Sequence, residues 1–388
     1  EVYKGNDVTF TITPNDGYTL EDASISCSNG TLTNNLLTIS NVQSDVTCTI
    51  TLDEEKITLA QAMLRDNPTI KERTDFSVTN TETTTGTIYK TNKTEDGSDV
   101  YYYSGNTTNN WVKFGGFYWR IIRTNEDGSV RVLYSGTSYN TTTGYIGKSE
   151  FNAFSGIMYA GYMYGTSGSL ANNRTNGKDS TIKTTIDTWY QNNLLTNYDK
   201  YISKSVIYCN DRSVGIGTYS TGSSFYYGGY TRLWTNKTPS YKCGANTSNG
   251  LFESTQAIED KFSASTDDGG NGQLKYPIAL MTADEVSFAG GIVESENRLA
   301  WYSANNEHNS ITGQIYWWLF SPDRWNSSNS GVQIFMCKAS SIAGSLSSTN
   351  PGNSYAVRPV ISISKCAKVK SGNGTPDSPY EIDENSCS

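Results

Sequence analysis

Two short segments in the last third of the chain decide how the sequence is interpreted: Tyr316-Trp317-Trp318-Leu319-Phe320-Ser321-Pro322 and Val357-Arg358-Pro359-Val360-Ile361-Ser362. The first holds large apolar side chains before a Ser-Pro turn, and the second leads from an arginine into an alternating apolar strand. Large rings in this setting are typical of a core, so we expect Trp317 and Trp318 to be buried and Arg358 to tie loop carbonyls to them. The residues between the two segments are mostly small and polar. This layout predicts a rigid aromatic frame that presents a surface on which many different side chains are tolerated. Such a surface suits binding better than catalysis.

The composition argues against nucleic acid as a partner. The 388 residues carry a formal net charge of -8, and only 18% of them are charged. Binding to a phosphate backbone needs clustered Lys and Arg, and the sequence contains no such run. The 27 Tyr and 8 Trp residues occur among many Asn, Ser, Thr and Gly residues, a composition typical of β-rich extracellular proteins and adaptable recognition surfaces. No stretch reaches the roughly 18 apolar residues of a membrane span, so we expect no membrane insertion, and we interpret the chain as a mature fragment of a longer protein.

The cysteines predict three local disulfides. Six of the seven cysteines group by neighbourhood into Cys27 with Cys48, Cys209 with Cys243, and Cys366 with Cys387. Disulfides indicate an oxidising compartment, so we expect an extracellular location, either secreted or on the bacterial cell surface. The alternative is that all are reduced and buried. The remaining residue, Cys337, is expected to be a buried thiol, and because the chain has one histidine and no CxxC motif we expect no structural metal site.

Residues 1–53 show a period-two alternation that is broken by turn clusters. Apolar and polar residues alternate over 8–13, 37–40 and 46–52, and Pro14-Asn15-Asp16-Gly17 is a typical turn. The pattern predicts short antiparallel strands. The segment resembles the small immunoglobulin-like repeats of Gram-positive surface proteins, which serve as stalk spacers. We therefore expect an all-β immunoglobulin-like sandwich over residues 1–53.

Residues 54–98 are expected to form a helix and a Thr-rich linker that leads into the next domain. The helix is predicted to follow Thr58, which is placed to cap it, and to end at Pro68. Residues 74–98 contain hardly any large apolar group, and we interpret them as a linker or an extended strand.

The rest of the chain predicts a mixture of strands and helices. Glu126-Asp127-Gly128 separates two alternating runs and predicts a hairpin. A helix is expected over 182–195, where apolar residues recur at helical spacing. A shorter helix is expected after Thr282, a capping residue, and should end at Gly290-Gly291.

Several motifs of residues 58–388 together carry a resemblance. They are a hairpin that contains Trp119-Arg120-Ile121-Ile122-Arg123, a helix that ends in Trp189-Tyr190, the segment Thr282–Gly291, and the two segments quoted first. In this order they resemble a domain of surface proteins from gut Firmicutes, which is similar to the C-type-lectin-like fold in its formylglycine-generating-enzyme branch. The resemblance implies an α+β C-type-lectin-like domain over residues 99–365, followed by a disulfide-closed tail over residues 366–388.

In the related variable proteins of diversity-generating retroelements, the segment before the final strand is a displayed and diversified binding surface. The corresponding segment here is Asp323–Tyr355, and it is rich in the Asn and Ser residues that adenine-directed mutation produces. An ordinary polar loop has the same composition. The alternation over 334–337 is interpreted as a displayed strand with a fixed and a variable face. The candidate ligand-binding residues are Arg324, Trp325, Asn326, Ser328, Asn329, Phe335, Cys337, Ser347, Asn350, Asn353 and Tyr355.

An exposed polar and aromatic surface favours a protein or a glycan as the partner. Aromatic rings stack on the C–H faces of sugars, and Asn, Asp and Ser supply hydrogen bonds. Calcium-dependent lectins of this fold use Glu-Pro-Asn or Gln-Pro-Asp with Trp-Asn-Asp, from which Ser321-Pro322-Asp323 and Trp325-Asn326-Ser327 depart. The segment Asp267–Gly272 offers oxygen ligands that suit Ca²⁺, or is a solvated acidic loop. We expect no other cofactor.

The sequence favours binding over catalysis. Formylglycine-generating enzymes use a pair of cysteines to bind copper, and only Cys337 lacks an expected disulfide partner. His308 lies in a polar loop sequence and no Gly-x-Ser-x-Gly elbow accompanies it, whereas paired carboxylates of a hydrolase remain open. We therefore expect no enzymatic activity and interpret the chain as an adhesin-like, surface-displayed ligand-binding protein. The alternatives are a phage receptor-binding protein, a structural pilus or fibre subunit and, less favoured, a hydrolase.

Overall fold

The chain is β-rich and divides into two compact units. The structure, a computed structural model, describes residues 2–15, 17–245, 260–265 and 272–387. Contacts group Glu1–Ile57 into one unit and Thr58–Ser388 into another. We call them the N-terminal unit and the main unit. Strands form most of the regular structure of both.

The N-terminal unit consists of two antiparallel sheets. One sheet has three strands in the order Val8–Thr11, Leu36–Ile39 and Gly30–Thr33, and the other pairs Tyr18–Ser26 with Thr49–Glu54. The alternating pattern of the sequence therefore predicted strands correctly. Its buried apolar side chains among the described residues are Leu37 and Ile39, and the disulfide Cys27–Cys48 joins residues whose Cα atoms are 4.4 Å apart. With so small a core, the unit depends on that covalent link.

The main unit is built around a ten-stranded sheet, which we call the main sheet. The predicted hairpin at 126–128 is confirmed, because its two strands pair antiparallel at the centre of this sheet. Seven strands follow one another across the sheet in the order Ala279–Leu280, Pro359–Ile363, Val130–Tyr134, Phe117–Thr124, Trp111–Phe114, Tyr380–Ile382 and Val369–Ser371. A branch from the strand Phe117–Thr124 adds Val100–Tyr102, Thr87–Thr91 and Thr69–Glu72.

A seven-stranded sheet, which we call the second sheet, contains the segment that the sequence singled out. Its longest strand, Trp317–Asn326, pairs antiparallel with Gly331–Cys337 to form a hairpin. The other strands are Lys148–Ser149, Val214–Ile216, Phe225–Tyr227, Leu346–Thr349 and Tyr355–Ala356. The small remaining sheets consist of Thr83–Thr84 with Asn106–Thr107, Met163–Tyr164 with Lys178–Asp179, and Tyr208–Cys209 with Lys261–Ser263 and Gly272–Gln273.

The three predicted helices are confirmed, and each begins after a residue whose side chain caps it. Thr58 and Gln61 form a capping box before the helix Leu59–Asp66, and Thr282 and Glu285 form another before Ala283–Phe288. The longest helix, Thr181–Asn193, is capped by the Ser180 side chain. The shorter helical segments are Ile157–Ala160, Leu170–Asn173, Asp199–Tyr201 and Gly228–Tyr230, the last of which runs into the π-helix Thr231–Asn236.

Two expected domain boundaries differ from the observed units. From Thr58 onwards the segment 54–98 belongs to the main unit, and of the two alternatives for residues 74–98 the extended strand is observed, at Thr87–Thr91. Its Ile88 and Tyr89 are buried, on a strand that joins the main sheet. Few but well-placed apolar residues are enough to anchor a Thr-rich segment. The tail 366–388 likewise contributes two strands to the main sheet, and it is closed by the predicted disulfide Cys366–Cys387.

The aromatic frame is part of the core, as the sequence predicts. Trp317 and Trp318 are 1% and 0% exposed. Arg358 is also fully buried, and it donates to the backbone carbonyls of Tyr134 and Tyr302 at 3.1 and 2.5 Å. Its guanidinium carbon lies 4.8 Å from the ring centroid of Trp317. Burial lowers the pKa of Arg358, because the charged guanidinium group loses its hydration. The hydrogen bonds to the frame offset part of that loss.

A second buried arrangement joins the short helix to the main sheet. Glu285, in the first turn of the helix Ala283–Phe288, lies 2.7 Å from Arg131 and 3.5 Å from Arg123, and all three side chains are at most 4% exposed. Burial tends to raise the pKa of Glu285, but the two guanidinium groups outweigh it and hold the pKa below its ordinary value. The carboxylate is therefore ionised and links two neighbouring strands to the helix.

The three predicted disulfides are confirmed, and so is the leftover thiol. Cys209 pairs with Cys243, in addition to the two pairs already described. Cys337 is fully buried, and burial raises its pKa to about 12. Three disulfides fit an oxidising compartment.

Candidate ligand-binding surface

The outer end of the hairpin Trp317–Asn326/Gly331–Cys337 carries a polar turn. The two strands pair as far as Asn326 and Gly331, with register shifts on either side of Pro322. The Asn326 side chain accepts a hydrogen bond from the backbone N–H of Ser328 at 3.0 Å. This Asx turn leaves Ser328 and Asn329 exposed. The turn therefore displays small polar side chains on a rigid base.

A row of three aromatic rings, which we call the aromatic ladder, flanks one edge of the hairpin. It consists of Tyr226, Tyr230 and Trp234. Ring centroids are 4.1 Å apart between the two tyrosines and 5.7 Å apart between Tyr230 and Trp234. All three side chains are partly exposed. The ladder therefore forms an apolar strip on the surface.

The ladder begins on the strand Phe225–Tyr227, which carries Tyr226, and continues on the helical segment that follows. Tyr230 and Trp234 are four residues apart, so they lie on the same face of the helical segment 228–236. The opposite face is buried: Leu233 is 4% exposed, and Arg232 forms ion pairs with Asp211 at 2.6 Å and Asp284 at 2.8 Å. These buried ion pairs anchor the inner face and leave the aromatic face outward.

Arg324 of the hairpin joins the ladder. It lies opposite Tyr226 in the strand pairing, and its guanidinium carbon is 5.6, 5.2 and 6.0 Å from the ring centroids of Tyr226, Tyr230 and Trp234. The Nε atom of Arg324 donates to the carboxylate of Asp323 at 2.6 Å. Asp323 outweighs burial and raises the pKa of Arg324, which is therefore fully charged.

Asp323 is itself fully buried, and Ser348 donates to the same carboxylate oxygen at 2.7 Å. Burial raises the pKa of this carboxyl against the opposing effect of Arg324. Its other oxygen has no hydrogen-bond partner among the described residues. Asp323 thus fixes the orientation of Arg324 without appearing on the surface.

A second aromatic cluster lies beside the other edge of the hairpin. Phe154 is 64% exposed, its ring is 5.3 Å from that of Tyr159, and Tyr159 is 5.1 Å from Tyr164. The neighbouring backbone carbonyl of Ser155 accepts a hydrogen bond from the N–H of Val332 at 2.8 Å. The polar turn therefore lies between two groups of exposed rings.

Several predicted contact residues lie on this surface. Arg324, Asn326 and Tyr355 are partly exposed, and the exposed residues are Ser328, Asn329, Asn350 and Asn353. Tyr355 packs on Trp318 with a centroid distance of 5.0 Å, so it contributes mainly one edge to the surface. The Asn350 side chain accepts from the N–H of Gly352 at 2.9 Å and forms a second polar turn.

Four predicted contact residues do not lie on this surface. Trp325 is 3% exposed, Phe335 and Cys337 are 0% exposed, and Ser347 is 9% exposed. The expectation that 334–337 has one displayed face is wrong, because both faces of this strand are covered. A Cβ atom on Gly229 would lie 3.6 Å from the Phe335 ring, which shows that the helical segment 228–236 covers the side on which exposure was expected.

A cleft elsewhere in the described residues also brings ionisable side chains together. A cleft of about 330 Å³ is lined by Glu95, Arg123, Glu126, Asp127 and Tyr241 among others. Burial tends to raise the pKa of Glu126 and of Asp127, but both pKa values are lowered. At Glu126 the charge of Arg123 outweighs burial, and at Asp127 hydrogen bonds from Ser129 and Ser203 do so. Neither of these two carboxyls has the raised pKa that is typical of the acid in a glycoside hydrolase.

The candidate metal ligands also have other roles. Cys209, Asp211 and Cys243 lie close together, but the two sulfur atoms form a disulfide and Asp211 pairs with Arg232. His308 is exposed in its loop, as predicted. The proposed calcium segment, Asp267–Gly272, lies outside the described residues except for Gly272 at its end.

Comparison of the chain with protein-family models, with curated proteins and with solved structures returned no match. Across the described parts of the chain, the helices are too short or too polar to cross a lipid bilayer. The inference about function therefore depends on the surface geometry.

Proposed function

We propose that the chain is a surface-displayed ligand-binding protein that recognises a glycan or a protein through the hairpin turn and the aromatic ladder. The observation that carries the proposal is the ladder itself. Three large rings lie partly exposed in a row. Tyr226 is on a strand, and Tyr230 and Trp234 are on the helical segment after it, whose other face is fixed by buried ion pairs. Aromatic rings and arginine are the side chains that contribute most at binding surfaces, because they bury a large area at little cost in conformational entropy.

The two-unit organisation supports display of this surface. We propose that the main unit has a C-type-lectin-like fold and that the N-terminal unit is an immunoglobulin-like spacer. The β-rich architecture of both units and the three disulfides fit a secreted or cell-surface protein. The proposal includes no enzymatic step.

Diversification by a retroelement remains part of the proposal, with fewer positions. Variable positions should be those in the two polar turns at the surface, namely Asn326, Ser328, Asn329, Asn350 and Asn353. Buried neighbours such as Phe335 cannot vary freely, because core substitutions leave cavities or clashes. Sequencing this segment in independent isolates tests the idea: adenine-linked changes should concentrate at the exposed positions, and an even spread of changes would argue against it.

The experiment that tests the function is a screen of the full chain on glycan and protein arrays, together with the variant Trp234→Ala. We expect at least one ligand to bind the wild type and to lose about thirtyfold or more in affinity with the variant, since truncation of an aromatic anchor costs about 2 kcal/mol or more. Tyr3→Ala is the control, because Tyr3 is 84% exposed and lies in the N-terminal unit. Equal binding by wild type and Trp234→Ala would contradict the proposed surface.

A further inference from the structure

We propose that the aromatic ladder and Arg324 select a carboxylate-bearing sugar, such as a uronic or sialic acid residue. In this arrangement the sugar ring lies against the ladder and its carboxylate binds the guanidinium group of Arg324. The inference rests on the proposed function and specifies its ligand class.

Arg324 has hydrogen-bonding capacity that the protein does not use. Only its Nε atom donates within the protein, to Asp323. The two terminal guanidinium nitrogens have no hydrogen-bond partner among the described residues, and the side chain is 27% exposed. These nitrogens form a planar fork that matches the two oxygens of a carboxylate. The ladder and Asp323 hold the fork in place before a ligand arrives, so little conformational entropy is lost on binding.

A second donor lies next to this fork. Gln333 is opposite Arg324 in the strand pairing, and its side-chain oxygen lies 3.0 Å from the Ser348 hydroxyl, which shares its single proton between Gln333 and the nearer Asp323 carboxylate. The Gln333 amide nitrogen has no hydrogen-bond partner among the described residues. Arg324 and Gln333 therefore offer N–H groups, which favours a ligand rich in acceptors.

The local charge also favours an anion, although moderately. Among the described residues, Asp323 is the carboxylate in ion-pair contact with Arg324, and it is fully buried. No exposed carboxylate of the described residues lies within ion-pair distance of the fork. Asp323 still neutralises part of the charge, so we expect the carboxylate to improve affinity by about tenfold, at the lower end for charge-assisted hydrogen bonds.

The ladder is what distinguishes a sugar from other anions. A pyranose presents an apolar C–H face to an aromatic ring and hydroxyl groups at its rim. The rim of this surface carries matching hydroxyl groups: Ser224 and Ser327 lie 3.1 Å apart at the end of the ladder. An acidic peptide can bind the guanidinium group of Arg324 through its carboxylate, but it does not combine a flat apolar face with a hydroxylated rim.

The test compares matched sugars on the full chain by titration calorimetry. One pair is a glucuronic-acid disaccharide and its carboxyl-reduced, neutral counterpart, and the other is sialyllactose and lactose. We expect at least one acidic sugar to bind about tenfold more tightly than its neutral counterpart, and the advantage to disappear in Arg324→Gln while binding to the neutral sugar persists. Arg324→Lys should restore only part of it, because lysine keeps the charge but lacks the fork. The control is Arg298→Gln, which removes another exposed arginine paired with a nearby acid.

Each outcome decides the proposal. Equal binding of acidic and neutral sugars overturns the inference but leaves the proposed function intact, as does binding of acidic peptides in place of sugars. If no array ligand depends on Trp234, the proposed function fails as well. If the melting temperature shows that Arg324→Gln folds poorly, Gln333→Ala serves as the second variant. It should reduce the preference for the acidic sugar, and an unchanged preference would count against the inference.

Discussion

At the scale of single residues, burial decides which side chains remain reactive. Cys337 is the one cysteine outside the three disulfides, and it lies in the core with its pKa raised to about 12. The reactive form of cysteine is the thiolate, which a raised pKa suppresses. Its thiol is therefore protected both by exclusion of water and by protonation.

This protection gives a simple prediction about thiol reactivity. At pH 8 the native chain should not react with a thiol-specific reagent such as Ellman's reagent, and one equivalent of thiol should appear when it is unfolded without a reductant. Cys337→Ser should abolish that equivalent. Reaction of the native chain, or release of several thiols, would contradict the assignment of three disulfides and one buried thiol.

The residue scale is also where sequence reasoning about the surface was least accurate. Trp325 and Phe335 are aromatic residues, a type that is common at binding surfaces. A strand exposes a side chain, however, only where no other element covers that face. The covering element here, the helical segment 228–236, lies about a hundred residues away in sequence. Local pattern could not show that coverage, whereas the polar turns at 326–329 and 350–353 were recognisable because turn residues act locally.

At the scale of elements, the short helix Ala283–Phe288 is held by one carboxylate. Glu285 accepts the capping hydrogen bond at the start of the helix and contacts Arg123 and Arg131 of the main sheet. Loss of this charge would leave two buried guanidinium groups without their shared partner.

We therefore predict that Glu285→Gln lowers the free energy of unfolding by about 3–5 kcal/mol, the range for breaking a buried ion pair. Urea unfolding measures it, and Glu296→Gln, which removes an exposed pair with Arg298, should change the value by less than about 1 kcal/mol. The pKa of Glu285 lies below its ordinary value of 4.5 in the folded chain. Its contribution is thus fully present above pH 4.5 and is lost as the pH falls through the folded pKa. The difference between wild type and Glu285→Gln should shrink in acid, and a constant difference would contradict this account.

The elements were largely predictable where their signals are local. Capping residues at Thr58 and Thr282 and the turn at 126–128 specified two helices and a hairpin. The aromatic ladder was missed because Tyr226 lies on a strand, and Gly228 and Gly229 argue against a helix directly after it. The four-residue spacing of Tyr230 and Trp234 was therefore too short a signal. The buried ion pairs of Arg232 with Asp211 and Asp284 stabilise that helix through tertiary contacts.

At the scale of the whole molecule, the two units differ in what stabilises them. The main unit has an extensive core that contains several buried tryptophans. The N-terminal unit buries little apolar area, and its disulfide closes a loop with a sequence separation of 21 residues. A link of that length contributes about 3 kcal/mol in the chain-entropy account, which is a large share of the stability of so small a unit.

The double variant Cys27→Ser/Cys48→Ser should therefore unfold the N-terminal unit while the main unit stays folded. All 8 tryptophans lie beyond residue 57, so tryptophan fluorescence should be unchanged while limited proteolysis cuts within residues 2–53. Cys366→Ser/Cys387→Ser is the matched control and should leave the N-terminal unit resistant. A protease-resistant N-terminal unit in the first variant would show that its core is sufficient without the disulfide.

The central claim is that the hairpin turn and the aromatic ladder form the binding surface, and hydroxyl-radical footprinting with the best array ligand tests it most directly. The account predicts that oxidation of Tyr226, Tyr230 and Trp234 falls when the ligand is bound, whereas oxidation of Tyr3 in the N-terminal unit stays the same. Unchanged oxidation of the three ladder residues, with protection appearing elsewhere on the chain, would contradict it.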